Sequence, residues 1–205
     1  MTPENNRQKE QTPQRDPAVS LAGCNRILII GRTGSGKTTL ARELSATLGV
    51  PHVELDSLYF GPNFSTVPLP VLRERTTTAI SREQWVTDGN KSAVRDLVWP
   101  RADTIIWLDY PLVVSLLRLG KRALWRTSVL KEQTKKTGKK SNMPQQFIAG
   151  AKGVLTALRS HRDQRREFPI LFAKLENQHL AIVRLNSPEA TQRWLERIKA
   201  KTKAR

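Results

Sequence analysis

Cysteine is almost missing from this chain. Cys24 is the only one in 205 residues, so no intrachain disulfide can form. A small domain that depended on covalent staples would carry several cysteines. A single domain of this length can instead bury an adequate apolar core. Long hydrophobic runs are also missing. None approaches the ~18–20 apolar residues that a membrane-crossing helix needs. Residues 1–17 are polar, mixed in charge and carry three prolines. They lack the apolar core of a secretory leader. Residues 1–24 therefore read as a disordered N-terminal extension, and the protein is expected in the cytoplasm with no membrane partner. The chain shows no zinc-ligand spacing, no RNP aromatics and no recognition helix, which argues against sequence-specific reading of nucleic acid. His52 has no metal-ligand partner at a useful spacing, and it reads as a core or edge histidine. His161 and His179 are isolated.

Acidic residues are scarce: 18 Asp and Glu stand against 35 Lys and Arg, for a net charge of +17. The imbalance is regional. Between Arg118 and Arg166 fourteen basic residues face only Glu132 and Asp163. Such a balance favours anionic partners: nucleotides, or nucleic acid bound without sequence preference.

What the chain does have begins at Arg26. The run RILII is short, apolar and β-branched, as in a strand buried on both faces. GRTGSGKTT follows at once, and then LARELSATLG. Leu40, Leu44 and Leu48 recur at helical spacing, and Gly49 is the natural stop. Strand, glycine loop and helix are contiguous.

Gly31 to Thr38 fits the phosphate-loop pattern G-x-x-x-x-G-K-[ST]. Glycines let the backbone curl until successive N–H groups point inward, and the helix dipole adds to that nest. Gly31, Thr33, Gly34, Ser35, Gly36, Lys37, Thr38 and Thr39 are therefore expected to bind a nucleoside triphosphate, with ATP as substrate. Lys37 is placed to reach its β- and γ-phosphates, and Thr38 to ligate Mg²⁺.

Further strands are expected at 51–55, 84–87, 104–108 and 180–185. Helices are expected at 72–80, 93–99, 112–124, 147–168 and 190–199. Residues 57–70 read as loop. This alternation predicts an α/β fold with a parallel sheet flanked by helices. The domain spans 25–199, residues 122–166 form a basic lid, and 200–205 a frayed basic tail.

Ligands of such sheets bind beyond the carboxyl ends of the strands. Asp88 and Asp56 both lie at such ends. Asp88 is the candidate second magnesium ligand, and each could alternatively cap a turn. Asp109 ends a strand too, but Pro111 follows and helix capping accounts for it. Arg118, Arg122 and Arg126 recur at helical spacing, and Arg162, Arg165 and Arg166 cluster later. Both sets flank the lysine-rich excursion, as a closing lid requires. The alternative is a solvated basic face. Arg95 could hold a substrate anion or lie on the surface. Trp85 and Trp107 read as core. Tyr59 and Phe60 could stack on a base or pack their own loop.

No N-K-x-D base-reading motif is present, so a GTPase is not indicated. The stretches ILIIGRTGSGKTTLARELSATLGVPHVELDSLYF, WVTDGN and RADTIIWLDYPLVVSLLRLGKRALWR resemble the adenylate-kinase-like P-loop NTPases of the "topology modulation protein" (FlaR-related) family. That resemblance implies a nucleoside monophosphate kinase-like domain with a five-stranded parallel sheet in the order 2-3-1-4-5. It implies Asp88 near Mg²⁺. Asp56, Asn90 and Arg95 would face the phosphoryl acceptor. Arg122, Arg126, Arg162 and Arg166 would be lid arginines acting in catalysis, and residues 186–188 would lie against the adenine. Adenylate kinases carry D-G-F-P-R where this chain has D-G-N-K-S, which leaves the acceptor open. The function expected is transfer of the ATP γ-phosphate to a small or nucleotide-like acceptor. The alternative is a nucleic-acid-associated ATPase or a nucleotide-gated regulatory binder.

Overall fold

The computed structural model describes residues 24–61, 65–121, 163–174 and 177–204. Five strands form one sheet: β1 (Arg26–Gly31), β2 (His52–Glu54), β3 (Trp85–Asp88), β4 (Thr104–Leu108) and β5 (Ala181–Leu185). Their order is β2-β3-β1-β4-β5, and every pairing is parallel. This is the expected order. The helices are α1 (Lys37–Leu48), α2 (Leu55–Leu58), α3 (Leu69–Ala79) and α4 (Arg95–Val98). They continue with α5 (112–121), α6 (163–173) and α7 (Pro188–Lys203).

β1 is the centre of the sheet and is buried on both faces, because its apolar run is unbroken and successive side chains point to opposite sides. Ile27 and Ile29 join one core with Leu40, Leu44, Trp194 and Ile198, beneath α1 and α7. Leu28 and Ile30 join the other, with Leu72, Trp85, Trp107, Phe168 and Phe172. The expectation that Trp85 and Trp107 are core residues holds. Trp107 meets Phe168 edge-on at 5.5 Å, and Trp99 stacks on Phe172 at 5.7 Å.

Several boundaries differ from the sequence reading, each for a local reason. β2 is only three residues long because the chain turns into α2 at Leu55, which the core buries. α2 falls partly in the segment read as loop. β3 extends through Asp88, since Glu54 and Ile29 pair with that residue from either side. Residues 92–101 form α4 between two 3₁₀ turns rather than one helix. Ser187 caps α7 as expected, its Oγ accepting from the Ala190 N–H at 3.1 Å. The helix then runs on to Lys203, past the predicted end at Lys199 and through most of the expected tail. Cys24, assigned to the extension, packs against the core under α1 and α7. Residues 1–23 and most of the expected lid, 122–162, lie outside the described residues.

Candidate active site

The phosphate loop leaves β1 at Gly31 and enters α1 at Lys37. Gly34 and Gly36 adopt φ of 82° and 94°, left-handed values that favour glycine. A Cβ on Gly34 would lie 3.0 Å from the Ser115 carbonyl, so α5 presses against the loop there. No side chain caps α1, and its first turn holds no acidic residue. Its N–H groups and positive dipole end are thus available to an anion. Lys37 folds back over the loop and donates to the Arg32 carbonyl at 3.1 Å. Burial pushes its ammonium below the usual lysine value, while Asp88 and then Asp56 pull it back up.

Thr38 Oγ1 donates to Asp88 Oδ2 at 2.7 Å. The sequence places these residues fifty apart; the β1–β3 pairing brings them together. The other carboxylate oxygen, Oδ1, lies 2.6 Å from His52 Nε2. His52, read from sequence as a core or edge residue, therefore holds the candidate metal carboxylate. The sequence of this short strand could not show this, because the contact depends on the register that sets His52 opposite Val86.

Beyond the carboxyl end of β2, Lys91 Nζ lies 3.3 Å from Asp56 Oδ1 and 4.0 Å above the Tyr59 ring. Tyr59 thus supports a lysine within its own protein. Arg95 pairs with Glu167 of α6 at 2.5 Å, while its Nε is buried with no hydrogen-bond partner among the described residues. Asn90 Oδ1 is likewise buried with no partner among the described residues.

Among the arginines, Arg122, Arg126 and Arg162 lie outside the described residues, and Arg166 is exposed on α6. Arg118 reaches the phosphate loop, donating to the Ser35 carbonyl at 2.7 Å and lying 5.5 Å from the Tyr110 ring. Asp109 corrects an expectation. It is not a simple helix cap but a buried carboxylate, 3% exposed. Its Oδ1 accepts from Arg165 Nε at 2.8 Å, and its Oδ2 from Arg184 Nε at 3.0 Å and Nη2 at 2.5 Å. Arg32 Nη2 approaches it to 3.9 Å and also donates to the Tyr110 carbonyl. Burial lowers the Arg32 pKa, Asp109 opposes that, and Arg165 adds to the lowering. Sequence reasoning missed Arg32 because the motif treats its position as variable.

No family model matches the chain. A shikimate kinase of Rhodopseudomonas palustris (strain ATCC BAA-98 / CGA009) is 27% identical over 129 residues, covering 55% of this chain. The chain spans 63% of the length of that curated relative. Solved structures similar to it include a shikimate kinase from Bacteroides thetaiotaomicron, at 16% identity and TM-score 0.48, over 87% of this chain and 98% of that one. A gluconokinase from Sinorhizobium meliloti 1021 aligns at 17% identity and TM-score 0.44, over 88% and 96%. The sheet order and the phosphate loop at the β1–α1 turn decide the architecture. The fold is a five-stranded parallel α/β sheet with a phosphate loop between its central strand and α1.

In this fold the donors expected for a divalent cation fit one. Thr38 Oγ1 and Asp88 Oδ2 are hard oxygens 2.7 Å apart beside the phosphate loop. Mg²⁺ typically takes one or two protein ligands of this kind together with substrate phosphates and water. Beside the loop lies a cavity of about 260 Å³, between the start of α1 and the start of α7. Gly36, Thr39, Tyr110, Arg118, Pro188 and Gln192 line it. Among the described residues no helix is long and apolar enough to cross a membrane.

Proposed function

We propose that this chain is an ATP-dependent phosphotransferase whose acceptor is a small or nucleotide-like molecule. The observation that carries the reading is the contact between Thr38 and Asp88 at the mouth of the loop. It adds a carboxylate to the phosphate nest, which a glycine-rich turn with no catalytic role would not need. The adenylate-kinase-like character and the likeness to topology modulation proteins belong to the same proposal. So does a kinase activity of the kind named for the R. palustris relative.

In this reading the loop amides and the α1 dipole hold the β- and γ-phosphates. Lys37 turns from the Arg32 carbonyl onto the phosphate oxygens. Thr38 and Asp88 hold Mg²⁺, which neutralises phosphate charge when bound. Arg118 and the wall formed by Pro188 and Gln192 receive the nucleoside. Asp56, steadied by Lys91, accepts a hydrogen bond from the acceptor, and Asn90 and Arg95 flank it. Lid arginines Arg122, Arg126, Arg162 and Arg166 complete the proposed set.

The test is ATP consumption in the presence of nucleoside monophosphates and small hydroxy compounds, gluconate and shikimate included. The expected result is acceptor-dependent turnover by the wild type that falls at least about a hundredfold in Lys37→Ala, as when a group that stabilises transferred charge is removed. Equal turnover by the variant would refute the proposal.

A further inference from the structure

Asp88 has two carboxylate oxygens, and the structure gives them different duties. Oδ2 faces Thr38 at 2.7 Å. Oδ1 faces His52 Nε2 at 2.6 Å, from the neighbouring edge strand. Asp88 is 3% exposed, so water contributes little to orienting it. A buried carboxylate oxygen without a donor is costly, and a carboxylate with both oxygens held cannot rotate. An imidazole can donate from Nε2 while carrying no charge. A donor at Nε2 holds Oδ1 and leaves Oδ2 to Thr38.

We propose that His52 is a positioning residue for the metal carboxylate. By holding Oδ1 of Asp88, it keeps Oδ2 beside Thr38 as the single oxygen presented to the divalent cation of the nucleotide complex. The inference rests on the ATP-site reading above. His52 touches neither nucleotide nor acceptor; it acts through Asp88. The β2 register explains why it can. His52 lies opposite Val86, two residues before Asp88, so its side chain runs along β3 toward the carboxyl end of the sheet.

The experiment compares two amides differing by one methylene. In His52→Gln the side-chain nitrogen can reach the position of Nε2. In His52→Asn it reaches only the position of Nδ1. Mn²⁺ binding is read from the electron paramagnetic resonance signal of the free ion, in the presence of a non-hydrolysable ATP analogue. Analogue binding in EDTA is measured in parallel. Loss of an outer partner of a metal ligand typically costs about ten- to a hundredfold in metal affinity. The expected result is a loss of that size in His52→Asn, near-wild-type Mn²⁺ affinity in His52→Gln, and unchanged analogue affinity in EDTA for both. Any other pattern overturns the inference: both variants binding like wild type, both losing alike, or Gln losing where Asn does not. A wild-type protein that binds no analogue would overturn the ATP-site reading and this inference with it. A wild type that binds analogue and Mn²⁺, with both variants unaffected, would overturn this inference alone.

Discussion

Lys37 carries its charge in a place that disfavours charge. Burial lowers its pKa, so between its value in the folded protein and the usual lysine value the unfolded chain binds more protons. Stability without nucleotide therefore rises with pH across that window, and below it the buried ammonium opposes folding. Phosphate oxygens would compensate that cost. Lys37→Met should melt at the same or a higher temperature than wild type without nucleotide. It should lose most of the rise in melting temperature that ATP and Mg²⁺ induce. Thermal scans with and without ATP check both halves, and a variant that keeps the full ATP-induced rise would remove Lys37 from the phosphate site. His52 and Asp88 work by the same logic, since a buried polar group needs its partner in place.

Asp109 belongs to the scale of elements, because it joins four of them. It follows β4, takes Arg184 from β5 and Arg165 from α6, and lies near Arg32 of the phosphate loop. Arg165 and Arg184 are partly exposed, but Arg32 is 2% exposed and has no such recourse to water. Asp109→Asn leaves that buried guanidinium without a countercharge, a change of a kind that costs about 3–5 kcal/mol. Urea unfolding should show a loss of that order. A loss under about 1 kcal/mol, the worth of a surface pair, would mean that Asp109 does not anchor the loop.

This element scale is also where sequence reasoning divides. The central strands were legible because parallel strands buried on both faces are unbroken apolar runs, as RILII and TIIWL are. The phosphate loop was legible because its glycines and Lys37 are fixed by local geometry. α2 was not, since four residues carry no helical period. The end of α7 was missed because its last turn is basic and polar, although Thr202 still bonds back to the Ile198 carbonyl. Arg32, His52 and Asp109 were undervalued for a different reason. Their partners lie 36 to 78 residues away in sequence, and only the strand order brings them together.

At the scale of the whole molecule, the parallel sheet gathers the chemistry at one end. Gly31, Asp88 and Asp109 stand at or just after the carboxyl ends of β1, β3 and β4, and Asp56 follows β2 within α2. The cavity proposed for the nucleotide lies on the α1–α7 side, and Asp56 with Lys91 lies toward the β2–β3 side. Such a division suits two substrates meeting over the phosphate loop.

The central claim is that this loop, with Thr38 and Asp88, holds a metal-bound triphosphate. Calorimetric titration with a non-hydrolysable ATP analogue, with and without Mg²⁺, tests it most directly. The wild type should bind saturably and more tightly with Mg²⁺. Lys37→Ala should weaken binding by about tenfold or more, as loss of a charged hydrogen bond does. Asp88→Asn should abolish the gain from Mg²⁺. Wild-type binding that is absent, or that neither substitution alters, would contradict the account.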